Sequence, residues 1–294
     1  MAVKESAGRK VFNALNIAVM VLLIIITAYP MFYVVIASLS DSNELMRSTD
    51  ILLKPLGFNI NAYKAVANNP NILRGYKNTL IILVLGVSVN MTVTALTAYA
   101  LSRKNLMFGN AVTMFIVFTM FFGGGLIPTY LLIDRLGIMN TYWAVILPGA
   151  MSTYNFIIMR TGFASVPDSM EEAAIIDGAN HFVILTKIFI PLAKSTMAVI
   201  LLYYAVGHWN SWFAAMIYMQ KARALQPLQL VLRGILIAND TSAMSGGGVS
   251  ADQEAIGESI KYAVIVVSTL PILAVYPFLQ KYFVKGVMIG AVKG

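Results

Sequence analysis

Tyr203, Tyr204, His208, Trp209, Asn210 and Trp212 crowd one short stretch of the chain. Aromatic faces of this kind stack on the apolar C–H faces of sugars, and an imidazole or amide hydrogen-bonds hydroxyls. Ordinary helix packing with an interfacial Trp belt accounts for the same residues equally well. Asn155 is a second polar candidate, for a solute or for a bond to a neighbouring helix. A different chemistry belongs to residues 171–192, EEAAIIDGANHFVILTKIFIPL. Asp168, Glu171 and Glu172 suit the positive end of a helix dipole. Ser169 with Glu172 reads as a capping box. Ala173 and Ala174 are small enough for close approach by a partner, and Gly178 can take the left-handed conformation that ends a helix. A second helix is expected from about His181 to Ile190, with Pro191 marking the turn that follows.

Catalytic constellations are absent from the sequence. There is no H-E-x-x-H, no G-x-S-x-G and no G-x-x-x-x-G-K-[ST] phosphate loop. With no Cys, disulfides, thiolate metal sites and Cys nucleophiles are excluded. The net charge of +8 comes from basic residues spread over loop ends, with no Lys/Arg run and no aromatic–basic interleaving. This is the pattern of charges anchoring helix ends at lipid headgroups, not of nucleic-acid binding.

The elements that position these residues must be membrane helices. The chain of 294 residues is 59% hydrophobic and 12% charged, about half the charged fraction of a soluble domain. Its mean hydropathy is +0.76. Six stretches reach the roughly 20 apolar residues that a spanning helix needs: about 12–38, 78–101, 110–133, 141–159, 196–217 and 260–283. The first is too long for a signal-peptide core and is read as a retained helix. None shows the alternation of barrel strands. The span centres carry no Asp, Glu, Lys or Arg, whereas ion-coupled carriers place such charges inside the membrane. Pro30, Pro148, Pro271 and Pro277 fall within spans. Gly123–Gly125 followed by Pro128 marks 122–128 as a bent or unwound segment. Basic residues divide almost evenly between the two sides, so the positive-inside rule barely orients the chain. Arg103-Lys104, in the turn after the second span, makes the best cytoplasmic anchor.

The pattern Glu172, Ala173, Ala174, Asp177, Gly178, Ala179, then Ile188, Pro191 and Leu192, resembles the coupling loop of ABC importer permeases. The resemblance extends over almost the whole chain to the carbohydrate-uptake type, the maltose G-subunit kind, within the branch for complex sugars and polysaccharide fragments. Pro128 with Tyr130, Leu136-Gly137, Asn140-Thr141, Leu147-Pro148, Arg160 ahead of Pro167, Trp209-Asn210 and the C-terminal Lys293-Gly294 carry it. One departure is Ser195 or Thr196, where many members have Pro.

The resemblance implies an all-α membrane protein of six transmembrane helices in the type I importer fold. A single permease domain would cover 1–294, with a cytoplasmic coupling loop at 161–195 and external loops at 40–77 and 219–258. Both termini would lie in the cytoplasm, at a bacterial cytoplasmic membrane. The implied partners are a second permease, a homodimeric ABC ATPase, an extracytoplasmic solute-binding protein, a carbohydrate and the bilayer. Nucleic acid is not among them. No cofactor is expected on this chain, since ATP and Mg would sit on the ATPase, so it would not be an enzyme. Glu172, Ala173, Ala174, Asp177, Gly178, Ala179, Pro191 and Lys293 would contact the ATPase. Asn155, Tyr204, His208, Trp209, Asn210 and Trp212 are the pathway candidates. Ser245, Gly246, Gly247 and Gly248 would reach the binding protein, or form a linker without contacts. The alternatives are a permease for a non-sugar solute (amino acid, peptide or polyol) and a stand-alone secondary transporter.

Overall fold

The computed structural model describes residues 6–104, 106–237 and 259–274. These are helical, with no strand among them. Two compact units divide the chain, Met1–Asn69 with Gly234–Pro271 and Pro70–Arg233 with Ile272–Gly294.

The first unit starts with α1, Ala7–Ser38, whose N-terminus is capped by Ser6 accepting from the Arg9 amide. At roughly 48 Å it is long enough to cross a bilayer even with tilt. Its side chains from Val11 to Val35 are mostly apolar and exposed, so this helix offers its flank to an apolar surrounding. Only its last turns join a core, where Ile36 and Ala37 pack with Leu45, Leu52, Tyr33, Leu56 and Tyr262. The following 40–77 segment is structured. Ser42–Arg47 (α2) is capped by Asp41, and Asn61–Asn68 (α3) follows. The helix Ser259–Ala274, here α15, is tied to the end of α1 through Ser259 Oγ, which lies 2.7 Å from Ser42 Oγ and donates to the Ser40 carbonyl.

The second unit is built around α4, Pro70–Ser102. It begins well before the expected residue 78, because Pro70 is favourable at a first helical position. The third expected span is two helices, Gly109–Phe121 (α5) and Leu126–Arg135 (α6), bent by 113°. Phe122 is extended and Gly125 sits at φ +88°, a conformation favouring glycine. The Gly run therefore does what its composition suggests.

The fourth expected span, 141–159, is not one helix. It is Trp143–Ile146 (α7), a 3₁₀ turn at Leu147–Gly149, and Thr153–Ala164 (α8). Pro148 supplies no N–H, so the ladder stops there. Freed backbone groups inside a membrane need other partners. Asn90 Nδ2 of α4 donates to the Gly149 carbonyl at 2.6 Å, and the Ser152 amide donates to Tyr204 Oη at 2.9 Å.

Then come Asp168–Ile176 (α9), His181–Ile184 (α10), a π turn at Leu185–Phe189 and Ile190–Leu192 (α11). The wide turn directly ahead of Pro191 relieves the clash of its ring with the carbonyl four residues back. The chain bends by 88° at Ala193 into Lys194–Asn210 (α12), so the turn lies two residues past Pro191. Phe213–Tyr218 (α13) and Leu228–Ile237 (α14) follow. The fifth expected span thus breaks at Ser211-Trp212.

Among the described residues, by length and composition, Gly8–Ser38 and Pro70–Ser102 can each cross a membrane. The bent pairs Gly109–Phe121 with Leu126–Arg135 and His181–Leu192 with Lys194–Asn210 bring the number to as many as four. The sixth expected span is described only as far as Ala274, and Pro277 lies outside the described residues.

Candidate functional site

The 161–195 segment folds onto the end of α4. The expected capping box is not formed. Pro167 occupies the cap position, no side chain caps α9, and Ser169 lies inside its first turn. The acidic residues of that turn go to distant partners instead. Glu171 Oε2 accepts from Arg103 Nη1 at 2.6 Å, in a pair whose side chains are 13% and 15% exposed. Its other oxygen accepts from Tyr99 Oη at 3.3 Å, and that hydroxyl lies 3.1 Å from His181 Nδ1. Arg103 also donates to the Phe163 carbonyl and stacks 4.3 Å above the Phe189 ring. One guanidinium thus touches α8, α9 and the turn after α10. At the surface, Lys104 donates to Asp168 at 2.6 Å. That bond holds the Asp168 carboxyl below its ordinary pKa and the Lys104 ammonium above its own.

Gly178 ends α9 at φ +80°. The Gly178 amide donates to the Ile175 carbonyl, and the Ala179 amide to that of Ala174, the paired bonds of a Schellman motif. Asn180 Oδ1 then caps α10 by accepting from the Val183 amide at 2.9 Å. Ala174 is buried in the chain's own core and Ala179 packs against it, so at 174 the small side chain serves internal packing and not approach by a partner. Glu172, Ala173, Asp177, Gly178 and Pro191 are exposed. Beside them stand Ile175 and Phe182, together with Ile176 at 85% exposure. A loop between spans does not ordinarily leave this much apolar surface to water. Lys293, Ser245, Gly246, Gly247 and Gly248 lie outside the described residues.

The pathway candidates divide. Tyr204 is buried, with its hydroxyl 2.8 Å from Thr94 Oγ1 besides accepting from Ser152. His208 Nε2 donates to Asn90 Oδ1 at 2.6 Å, which completes a chain from α12 through α4 to the Gly149 carbonyl. Asn155 is buried. Trp209 is buried against Tyr76, ring centroids 6.3 Å apart, and its indole N–H has no partner among the described residues. Trp212 lies under the Arg233 guanidinium at 4.8 Å. Asn210 is exposed, its amide donating to the Val206 carbonyl. Most of these side chains therefore hold α4, α8 and α12 together.

Of the residues that face outward at this level, Tyr203 belongs to the aromatic stretch picked out in the sequence, whereas Tyr154 does not. Tyr154 on α8 is 53% exposed and Tyr203 on α12 39%, with ring centroids 6.2 Å apart. Thr119 of α5 and Thr153 of α8, next to Tyr154 in sequence, have Oγ1 atoms 3.4 Å apart. Adjacent helical residues point about 100° apart, so of the Tyr203-Tyr204 pair one faces in and the other out. Among the described residues no cluster of three His, Asp or Glu could hold a metal ion.

Comparison with known proteins places this architecture. No family model matches the chain. A solved chain from a bacterial ABC transporter involved in the import of the acidic polysaccharide alginate superposes with a TM-score of 0.87. It is 30% identical, over 96% of this chain and 100% of that one. The fold is that of an ABC importer permease. Two relatives from Bacillus subtilis narrow it. Protein LplC is 41% identical over 98% of this chain and 96% of its own length. The polygalacturonan/rhamnogalacturonan transport system permease protein YtcP is 38% identical, over 97% and 99%. The chain belongs to the carbohydrate-uptake family of ABC transporter permeases.

Proposed function

We propose that the chain is one of two permease subunits of an ATP-driven importer in the cytoplasmic membrane, and that it passes a polysaccharide fragment delivered by a binding protein. The names of its relatives, one for polygalacturonan and rhamnogalacturonan and one for alginate, favour this substrate class. In this reading the chain crosses the membrane six times as one type I permease domain, with both termini in the cytoplasm. The breaks in spans three, four and five leave each a single crossing. ATP and Mg are bound by a separate homodimeric ATPase, and this chain does no chemistry of its own.

The observation that carries the reading is α9. Its inner face is fixed to the end of α4 by Arg103 and Tyr99, while its outer face presents Glu172, Ala173, Ile175 and Ile176, all exposed. A rigid, half-apolar helix of this kind suits a groove on an ATPase. The test is purification of the tagged protein in mild detergent, with identification of what accompanies it. A second permease and an ATPase with a phosphate-binding loop are expected. Glu172→Lys should leave insertion and the second permease intact but lose the ATPase or its sugar-stimulated hydrolysis. Wild-type stimulation in that variant would remove α9 from the coupling role.

The pathway wall is assigned to Tyr154, Tyr203, Thr119 and Thr153. Tyr203 lies roughly 13 Å along α12 from Lys194, near the middle of a hydrocarbon core about 30 Å thick. Tyrosines gather at membrane interfaces, so two outward-facing ones at mid-depth fit a wetted wall better than lipid. Tyr154→Ala with Tyr203→Ala is expected to lower uptake in proteoliposomes about tenfold, the loss of one or two stacking contacts, with ATPase assembly unchanged. Uptake at the wild-type rate would place the wall elsewhere.

A further inference from the structure

Where the ends of α4, α5 and α8 meet, a cavity of about 420 Å³ has Ser102, Arg103, Lys104, Phe108, Asn110 and Arg160 in its lining. Among the described residues its wall holds three cations and no carboxylate. Two of the cations are partly satisfied elsewhere, Arg103 by Glu171 and Lys104 by Asp168. Arg160 is different. It is half-buried, and its Nε donates to the Leu101 carbonyl at 2.8 Å, which fixes the guanidinium plane. Its two terminal amino groups have no acceptor among the described residues. A half-buried guanidinium with a fixed plane and free N–H groups is a fork that matches two oxygens of one anion.

We propose that this cavity binds a phosphate group, that of an anionic membrane lipid. Phosphate satisfies the Arg160 fork, and Asn110 and Lys104, which line the same cavity, supply further donors, while the Ser102 hydroxyl is already spent on the Tyr99 carbonyl. The surroundings select a lipid as the source. Leu101 and Ser102 are in the last turn of a spanning helix, Gly109 and Asn110 in the first turn of the next. Leu106, Met107 and Phe108, next to the cavity, are exposed apolar side chains, Met107 and Phe108 at more than 70%. At the depth of the headgroups such side chains enter the acyl region, and basic pockets between spanning helices on one membrane side hold anionic headgroups. The inference needs only that α4, α5 and α8 end at the membrane surface. It does not depend on the coupling role of α9.

The test is lipid retention by the intact, detergent-purified complex, followed by native mass spectrometry after exposure to phosphatidylglycerol or phosphatidylcholine. Wild type should retain phosphatidylglycerol in preference to phosphatidylcholine. Arg160→Gln should lower that retention about tenfold or more, as the loss of a charge-assisted hydrogen bond implies, while Arg160→Lys recovers part of it. Lipid that stays bound in millimolar inorganic phosphate supports the membrane source, whereas displacement by it would assign the cavity to free phosphate. Equal retention of both lipids would overturn the proposal. So would undiminished phosphatidylglycerol in Arg160→Gln together with loss of the ATPase, since the guanidinium would then be serving a protein carboxylate. Should Arg160→Gln fail to insert, Lys104→Gln with Asn110→Ala makes the same comparison from exposed or loop-end positions.

Discussion

Arg103→Ala should insert into the membrane and yet fail to couple ATP hydrolysis to uptake. The guanidinium holds Glu171, the Phe163 carbonyl and the Phe189 ring at once. Its removal strands a carboxylate that is largely shielded from water and frees α9 from α4. Breaking one side of a buried ion pair costs about 3–5 kcal/mol, and the residual exposure of this pair places the cost near the lower end. That is enough to leave α9 undocked for much of the time without unfolding the membrane-spanning helices. Expected are loss of most ATP-driven uptake in proteoliposomes and lower protease resistance confined to residues 165–193. Arg103→Ala combined with Glu171→Gln should be less damaging than the sum of the two, because the stranded charge is gone. Full coupled uptake in Arg103→Ala would show that α9 is positioned by the ATPase alone.

Gly86→Ala should lower the melting temperature of the purified protein more than any other single added methyl group in α4. A Cβ at 86 would lie 2.5 Å from Nε2 and 2.6 Å from Cε1 of His208. The ring cannot retreat freely, since Nε2 donates to Asn90, which in turn holds the Gly149 carbonyl. Overpacking costs about 1–3 kcal/mol, and a buried hydrogen bond lost alongside adds about 1–3 kcal/mol. His208→Ala alone should destabilise by orphaning Asn90. In the Gly86→Ala, His208→Ala double variant the methyl group fills space the ring has left, so the two effects should add to less than their sum. Strict additivity in thermal unfolding would mean the ring does not occupy that site.

The sequence made spanning segments legible, because nothing except a membrane rewards so many apolar residues with so few charges. It also marked the unwound Phe122–Gly125 stretch, since three glycines in a span have few other uses. It was weaker where the partner of a residue lies far along the chain. The capping box at Ser169 and Glu172 is a local pattern. It yields to Pro167, Lys104–Asp168 and Arg103–Glu171, none of which a short window contains. The split of the 141–159 segment is half visible in Pro148, but Asn90 and Tyr204, which make the split tolerable, lie 59 residues before and 52 residues after the groups they bond. Faces were least legible. On a helix apolar all round, periodicity says nothing of which side meets lipid, so it does not tell Tyr203, which turns outward, from Tyr204, which is buried.

The network that Arg103 and Tyr99 make with Glu171 and His181 has a bearing on how such subunits can be recombined. The docked loop is anchored to the end of a helix some 70 residues upstream rather than only to the two helices it joins. Heritable units need not be contiguous. A chimera that carries residues 165–193 from a relative into this chain brings a helix without the turn at 99–104 that seats it. Exchanged together, the two segments bring both halves of one joint.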